Sequence, residues 1–332
     1  VAYASYAEGQ FPAAASPSSS TLFLPPQSIP PPVSQTPILG GEEGMGNIMN
    51  GLPSISIITP SYNQGRFIGR TIDSIRNQNY PGLEYIVMDG GSTDETLEIL
   101  RKNEPWLTWI SEKDRGQSHA INKGLRMTSG EVVGFLNSDD TYEPGALMAV
   151  GGFFSRNPDA VWVTGRCRNI DCEGKEIRRM ITCYKNFWLR INSKSVLKIL
   201  NFISQPATFW RRKVMESVGY MDEDLHYAME YDYWLRISRL YALRIINKYL
   251  ACFRIHPQSK AGSNANAQFD SMTAIARRYV DSGWILALHN LHRILTIGIY
   301  RRFYFREPAR RKSKIQDQEV GSGADDHDIG NP

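Results

Sequence analysis

A chain of 332 residues, 42% hydrophobic and 11% aromatic, has the composition of a soluble globular enzyme with one main domain and appendages. Its formal charge of +4 is too small to argue for a nucleic-acid partner. Cys167, Cys172, Cys183 and Cys252 lack the short paired spacings of a zinc site and are too sparse for a disulfide scaffold, so reduced cytoplasmic thiols are expected.

Residues 1–52 carry eight of the 18 prolines and seven serines, and the first basic residue is Arg66. Such a stretch buries too little surface to offset its ordering entropy, so a disordered extension is expected. It offers neither the basic start of a secretory leader nor the arginines of a mitochondrial one. The glycines of GGEEGMG follow no strand and precede no Gly-Lys-Ser/Thr, so they read as a linker.

From Ser54 short apolar runs alternate with helical periodicity, the pattern of βαβ units around a largely parallel sheet. Strands are expected at Ser54–Pro60, Leu83–Met88, Leu107–Ile110 and Glu131–Leu136. Helices are expected at Arg66–Gln78, after the turn GGSTDE with Ser92 and Glu95 as a capping box, and at Gln117–Met127. Beyond Tyr142 the expectations are a helix near Pro144, a hairpin of Ala160–Asn169 with Glu176–Cys183 across Glu173-Gly174, and an amphipathic stretch Asn186–Phe202 flanking an acceptor site. A short strand Thr208–Trp210, helices at Arg211–Val218 and Met229–Leu240, and final strands within Leu243–Ile255 follow. Gln268–Phe305 reads as helical, with Gly283 and Gly298 as weak points, and the last 20 residues as a polar tail.

Asp89, Asp114 and the pair Asp139-Asp140 each follow a separate expected strand. Parallel strands bind ligands beyond their carboxyl ends, so these acids would gather on one sheet edge. Adjacent carboxylates that stay ionised call for a cation, and oxygen ligands favour a hard divalent ion, which in turn invites a phosphate. An isolated Asp-Asp pair is otherwise a solvated turn before a helix.

The segments SIITPSYNQG, YIVMDGGSTDET, EKDRGQSHAINKGL leading to FLNSDD, and QPATFW followed by GYMDEDLHYAMEYDYWLRIS together resemble the inverting family 2 glycosyltransferases of the GT-A fold, over roughly Ser54 to Ser259. The resemblance implies an α/β, Rossmann-like mixed sheet, mainly parallel and flanked by helices. It divides the chain into an extension (1–52), a GT-A domain (53–260), a C-terminal helical segment (261–312) and a tail (313–332).

The resemblance places Pro60, Ser61 and Tyr62 along the nucleoside, Asp89 on the uracil ring, and Ser92 and Asp94 in the same loop. Asp114 and Arg115 approach base and diphosphate, an arginine being suited to bidentate phosphate contacts, with a surface salt bridge as the alternative for Arg115. Asp139 and Asp140 fall on the metal motif for Mn²⁺ or Mg²⁺, with Asp140 favoured for the ion and Asp139 for ribose or metal. Asn137 stands where many members have Asp. His256 is placed near the diphosphate, as a metal or phosphate ligand or as a structural histidine.

The base position aligns with Glu230, where many relatives have Asp, and Asp232 is the reserve. The alternative for Glu230 is a carboxylate complementing a helix start. One base and no flanking acid suits a single inverting displacement. Gln205 lies in the loop before the acceptor pocket, and Trp210 reads as a core residue or a sugar platform. The Gln-x-x-Arg-Trp signature of processive synthases and their membrane helices are missing, which implies single addition.

The implied partners are a nucleoside diphosphate sugar, UDP-linked, and a glycan or lipid-linked acceptor. A cytoplasmic location follows, and the basic cluster from Arg293 to Lys314 allows peripheral contact with the inner membrane face, or only a solvated helix. A catalytically idle sugar-nucleotide-binding or scaffold protein is the competing reading, supported by the departures at Asn137, Met229 and Glu230.

Overall fold

The computed structural model describes residues 51–259 and 265–303. The extension up to residue 50 with its GGEEGMG linker, residues 260–264, and the basic and polar stretch beyond Phe303 lie outside the described residues.

Nine strands form one sheet: β1 (Ile55–Ser61), β2 (Leu83–Asp89), β3 (Thr108–Ser111), β4 (Val132–Phe135), β5 (Thr141–Tyr142), β6 (Trp162–Ile170), β7 (Glu176–Ile177), β8 (Thr208–Arg211) and β9 (Leu243–Arg254). Their order is β3-β2-β1-β4-β8-β6-β9-β5, with β7 beside β6. The first four strands are mutually parallel, as their continuous apolar runs require. Beyond β4 the sheet is mixed: β8 is antiparallel to β4 and β6, and β6 and β9 run parallel.

β1 and β4 are buried throughout, and alternate residues feed two cores. Ile57 and Val87 pack with Ile68, Ile72 and Ile75 of the helix Gly65–Arg76, and with Leu147 and Val150 of the helix Ala146–Arg156. Ile58, Ile86 and Met88 face the opposite side, towards Ile121 and Leu125 of the helix Gln117–Met127 and Trp234 and Leu235 of the helix Met229–Leu240. Gly124 is where that layer comes closest: a Cβ there would lie 2.6 Å from Ile58 Cγ2.

The five residues between β4 and β5 force the sheet to curl. Those strands are four pairings apart, about 19 Å in a flat sheet, which five residues would span only if almost fully extended. They are not extended, because Asp140 N donates to Asn137 O at 3.1 Å in a tight turn. Rolling β9 and β5 back over the top of the sheet resolves the conflict and sets Asn137 to Asp140 at its carboxyl edge.

Two expectations need correction. The hairpin turns at Gly174 (φ 92°), but its second strand is only Glu176–Ile177, and a helix Arg179–Ile191 follows, then another at Lys194–Ile199. Met180, Tyr184, Phe187 and Ile191 recur at helical spacing, which overrides alternation. Similarly, Ser92 caps no helix; Asp94 does so for the helix Thr96–Lys102, accepting from Thr96 N at 3.1 Å. At the C-terminal side the helical stretch breaks before Gly283 into Ala265–Tyr279 and Gly283–Phe303, while Gly298 interrupts nothing.

Candidate active site

Register aligns the ends of the parallel strands: Ser61 pairs with Asp89, and Asp89 with Ser111. The loops leaving β1 and β2 are laced together. Asn63 N donates to Ser92 Oγ at 2.8 Å, Thr93 N to Asn63 Oδ1 at 2.8 Å, and Gln64 N to Thr96 Oγ1 at 3.0 Å. Asp94 Oδ2 accepts from Gly65 N at 2.9 Å, so one carboxylate starts two helices. Burial raises the Asp94 pKa, but the hydrogen bonds from Thr96 and Gly65 outweigh it and hold the carboxyl below its ordinary range.

Asp89 is buried and organises this rim. Its carboxylate accepts from the hydroxyl of Ser92, from Ser92 N at 2.9 Å, Gly91 N at 3.1 Å and Ser111 Oγ at 2.6 Å. Pro60 and Ser61 are buried beneath it, Ser61 Oγ without a hydrogen-bond partner, and Tyr62 is half-buried at the turn. Asp114 Oδ1 accepts from Gly116 N at 2.8 Å and so shapes the turn into Gln117–Met127. Arg115 is 75% exposed at its side chain and pairs with Glu223, which also holds Asn122 Nδ2 at 2.9 Å. The salt-bridge alternative is therefore what this conformation contains for Arg115.

The two aspartates after β4 have different surroundings. Asp140 is fully buried, its Oδ1 accepting from Arg254 N at 2.8 Å and its Oδ2 from Asn137 Nδ2 at 3.3 Å. Burial, and then the Asp139 charge, push its pKa well above the carboxylate range. Asp139 instead places Oδ2 3.1 Å from His256 Nε2, while its Oδ1 is buried with no hydrogen-bond partner. Asp140 is thus held by the β9 backbone and by Asn137, whereas Asp139 keeps one buried oxygen without a hydrogen-bond partner. His256 packs against Phe67, with ring centroids 4.7 Å apart and planes tilted by 39°, which restrains its ring. A carboxylate oxygen and an imidazole nitrogen side by side suit Mn²⁺ or Mg²⁺ with phosphate and water oxygens completing the shell. Among the described residues no cluster of three or more such ligands exists.

Of three supports of this loop, Arg254 and Thr71 escaped sequence reasoning. Arg254, only 2% exposed, donates through Nε to Asp139 O at 2.8 Å and through Nη1 to Asp171 O at 2.7 Å. Thr71 Oγ1 lies 2.8 Å from the carbonyls of both Ser138 and Asp140. Asn137, buried, takes Gln117 Nε2 at 2.9 Å and gives Nδ2 to Gln205 Oε1 at 3.3 Å, while Gln205 Nε2 donates to Phe135 O at 2.5 Å. A threonine amid Phe67, Ile68, Ile72 and Ile75, and an arginine closing the apolar run of β9, were the available signals.

Glu230 and Asp232 sit two residues apart on one helix, about 200° around it, and diverge. Asp232 accepts from Arg236 Nε at 2.8 Å and Tyr279 Oη at 2.6 Å, a knot between this helix and Ala265–Tyr279. Glu230 is buried on the other side, within electrostatic reach of Lys185. Burial lowers the Lys185 pKa, opposed by Cys167 and Glu230; burial raises that of Cys167, and Asp140 adds to it. Trp210 is fully buried against Phe135, Tyr233 and Trp234, a core residue.

Residues 56–219 match the model of the family described as glycosyl transferase family 2. An uncharacterised glycosyltransferase of Mycobacterium tuberculosis is 31% identical over 195 residues, 57% of this chain and 71% of that protein. The chain belongs to glycosyl transferase family 2. The chondroitin synthase of Escherichia coli is 32% identical over 200 residues, but the chain spans only 28% of its length. Two solved structures share the fold. S. aureus TarS 1-349 in complex with UDP-GlcNAc has a TM-score of 0.53 at 18% identity, over 80% of this chain and 77% of that one. The mannosyltransferase PcManGT of Pyrobaculum calidifontis in complex with GDP-Man and Mn²⁺ gives 0.54 at 18% identity, over 82% and 86%. The architecture is the GT-A fold of family 2, with helices appended at its C-terminal side.

Proposed function

We propose that this family 2 member transfers a sugar from a nucleoside diphosphate sugar, UDP-linked, to a hydroxyl of a glycan or lipid-linked acceptor, once per encounter and with inversion. The observation that carries the reading is Asp139: a buried carboxylate with one oxygen beside His256 and the other unpartnered, in the turn that follows β4, the parallel neighbour of β1. The TarS and PcManGT complexes, with UDP-GlcNAc and with GDP-Man and Mn²⁺, support a nucleotide-sugar donor and a divalent ion.

Asp139 and His256 would hold Mn²⁺ or Mg²⁺, with Asp140 and Arg254 fixing the loop behind them. When bound, the ion would neutralise charge on the departing diphosphate. Ser61, Tyr62 and the Asp89–Asp94 rim would seat the nucleoside; because Asp89 already accepts three hydrogen bonds from its own loop and one from Ser111 of β3, it presents a preshaped edge more than a spare acceptor. Glu230 would take the proton from the acceptor hydroxyl as that oxygen attacks the anomeric carbon from the face opposite the diphosphate.

Incubating the chain with a panel of nucleotide sugars and Mn²⁺, and following nucleoside diphosphate release with glycan and lipid-linked acceptors, tests the reading. Transfer that is lost in Glu230→Gln while nucleotide binding persists supports it. Nucleotide binding without turnover under every acceptor would favour the idle binding protein.

A further inference from the structure

The helix Gly283–Phe303 is inverted. From Trp284 to Ile299 every exposed residue is apolar or glycine, including Leu288 (38% exposed), Leu291 (52%) and Leu295 (58%). Its polar residues turn inward: His289 Nε2 lies 3.2 Å from Thr273 Oγ1, and Arg293 pairs with Asp270. Alongside it, Arg179–Ile191 exposes Met180 (83%), Tyr184 (41%), Phe187 (56%) and Ile191 (47%), which recur every three or four residues and so share one face. The two stripes adjoin, because Tyr184 stacks on His292 with ring centroids 6.2 Å apart. Singly exposed apolar residues are ordinary; two contiguous helical stripes mark a contact surface.

Charge identifies the partner. No Asp or Glu occurs between Glu176 and Glu216 or between Asp281 and Glu307. Exposed Arg179, Arg190 and Lys194 flank the first stripe, and exposed Arg302 closes the second. A second copy seated on this face would bring Arg190, Lys194 and Arg302 against their own equivalents, because the acids beside the stripes, Glu176 and Asp270, are already paired with Arg179 and Arg293. A bilayer with anionic headgroups offers what the face lacks, hydrocarbon for the stripes and phosphate for the flanking cations. Among the described residues no helix is long and apolar enough to cross a membrane, so the geometry is that of a face lying in the interface.

We infer that the paired faces of Arg179–Ile191 and Gly283–Phe303 form a docking surface for an anionic lipid bilayer. The inference stands apart from the sugar-transfer reading, since binding to lipid is measured without turnover.

Co-sedimentation of the full chain with vesicles of phosphatidylcholine alone, and with about one third phosphatidylglycerol, tests it. Binding is expected only to the anionic vesicles, weakening with added salt as the flanking cations are screened. Leu291→Glu with Leu295→Glu, and separately Phe187→Glu, are each expected to lower the partition coefficient at least about tenfold. Leu240→Glu, an exposed apolar residue on another helix (58%), is expected to leave it unchanged. Circular dichroism and nucleotide binding of each variant verify folding. Equal binding to both vesicle types, variants that bind like the parent, or no binding together with self-association or a monomer that ignores lipid would each overturn the proposal.

Discussion

Arg254 Nε donates to the backbone carbonyl of Asp139 at 2.8 Å, so a buried guanidinium from the last strand holds the acid loop from below. The same side chain reaches the carbonyls of Asp171 and Cys172 at 2.7 and 3.1 Å, and Arg254 N binds Asp140. The cation demanded by two neighbouring carboxylates is thus partly supplied by the chain itself. Burial lowers the Arg254 pKa, but the Asp140 and Asp139 charges oppose this. Arg254→Met would strand three carbonyls and remove the cation facing Asp140 and Asp139, while the backbone bond to Asp140 persists, and should cost about 3 kcal/mol of stability in urea unfolding. Arg254→Lys should retain some of that stability yet loosen the loop, because an ammonium cannot reproduce the fork. An unchanged unfolding midpoint in both would remove Arg254 from this role.

Asp139 and Asp140 should separate experimentally. With the ion held by Asp139 and His256, Asp139→Asn and His256→Ala should each weaken Mn²⁺ affinity at least about 10–100-fold, read as the metal concentration that half-protects the nucleotide-bound protein from thermal unfolding. Asp140→Asn keeps an oxygen for Arg254 N and removes only a buried charge, so Mn²⁺ affinity should change little. If Asp140→Asn abolishes metal protection while Asp139→Asn does not, the assignment is inverted.

Glu230 and Asp232 offer a second separation. Glu230→Gln should lower kcat by about 10²–10⁴ with little effect on stability or nucleotide affinity. Asp232→Asn weakens the hydrogen bonds from Arg236 and Tyr279, and should destabilise by about 2 kcal/mol with kcat largely retained. Chemical denaturation and initial rates on the same preparations decide between them.

What the sequence made legible was governed by local periodicity. The helices Gln117–Met127 and Met229–Leu240 fall where the 3.6-residue pattern places them, and the first four strands agree within a residue or so. The acids at the strand ends followed from the same alternation. Orientation within the acid loop did not, because the turn at Asn137–Asp140 and the approach of β9 decide which carboxylate faces which partner, and β9 is more than a hundred residues away. Arg115 likewise depended on Glu223, a distant partner that no local pattern announces. The start of the helix Arg179–Ile191 was expected as the second hairpin strand, Glu176–Cys183, because the turn at Gly174 announces a return strand but not where that strand stops.

Acidification should act on the C-terminal helix before the sheet. Burial, and then the neighbouring His289, push the His292 pKa down from 6.5 to about 4, and burial lowers His289 as well. Because the folded pKa lies below the unfolded one, the unfolded chain takes up the proton first as pH falls. The stabilisation from neutral His292 is therefore complete above about pH 6.5 and is lost progressively between 6.5 and about 4. Both rings lie on the inward side of Gly283–Phe303, His292 against Tyr184 and His289 against Thr273, so protonation weakens the seat of that helix first. Hydrogen exchange at pH 5 should accelerate in Gly283–Phe303 well before it does in Gln117–Met127. His292→Phe keeps the ring contact without the proton, and its thermal midpoint should fall less steeply from pH 7 to pH 5 than that of the parent. Parallel pH profiles for the two proteins would show that His292 does not govern the loss.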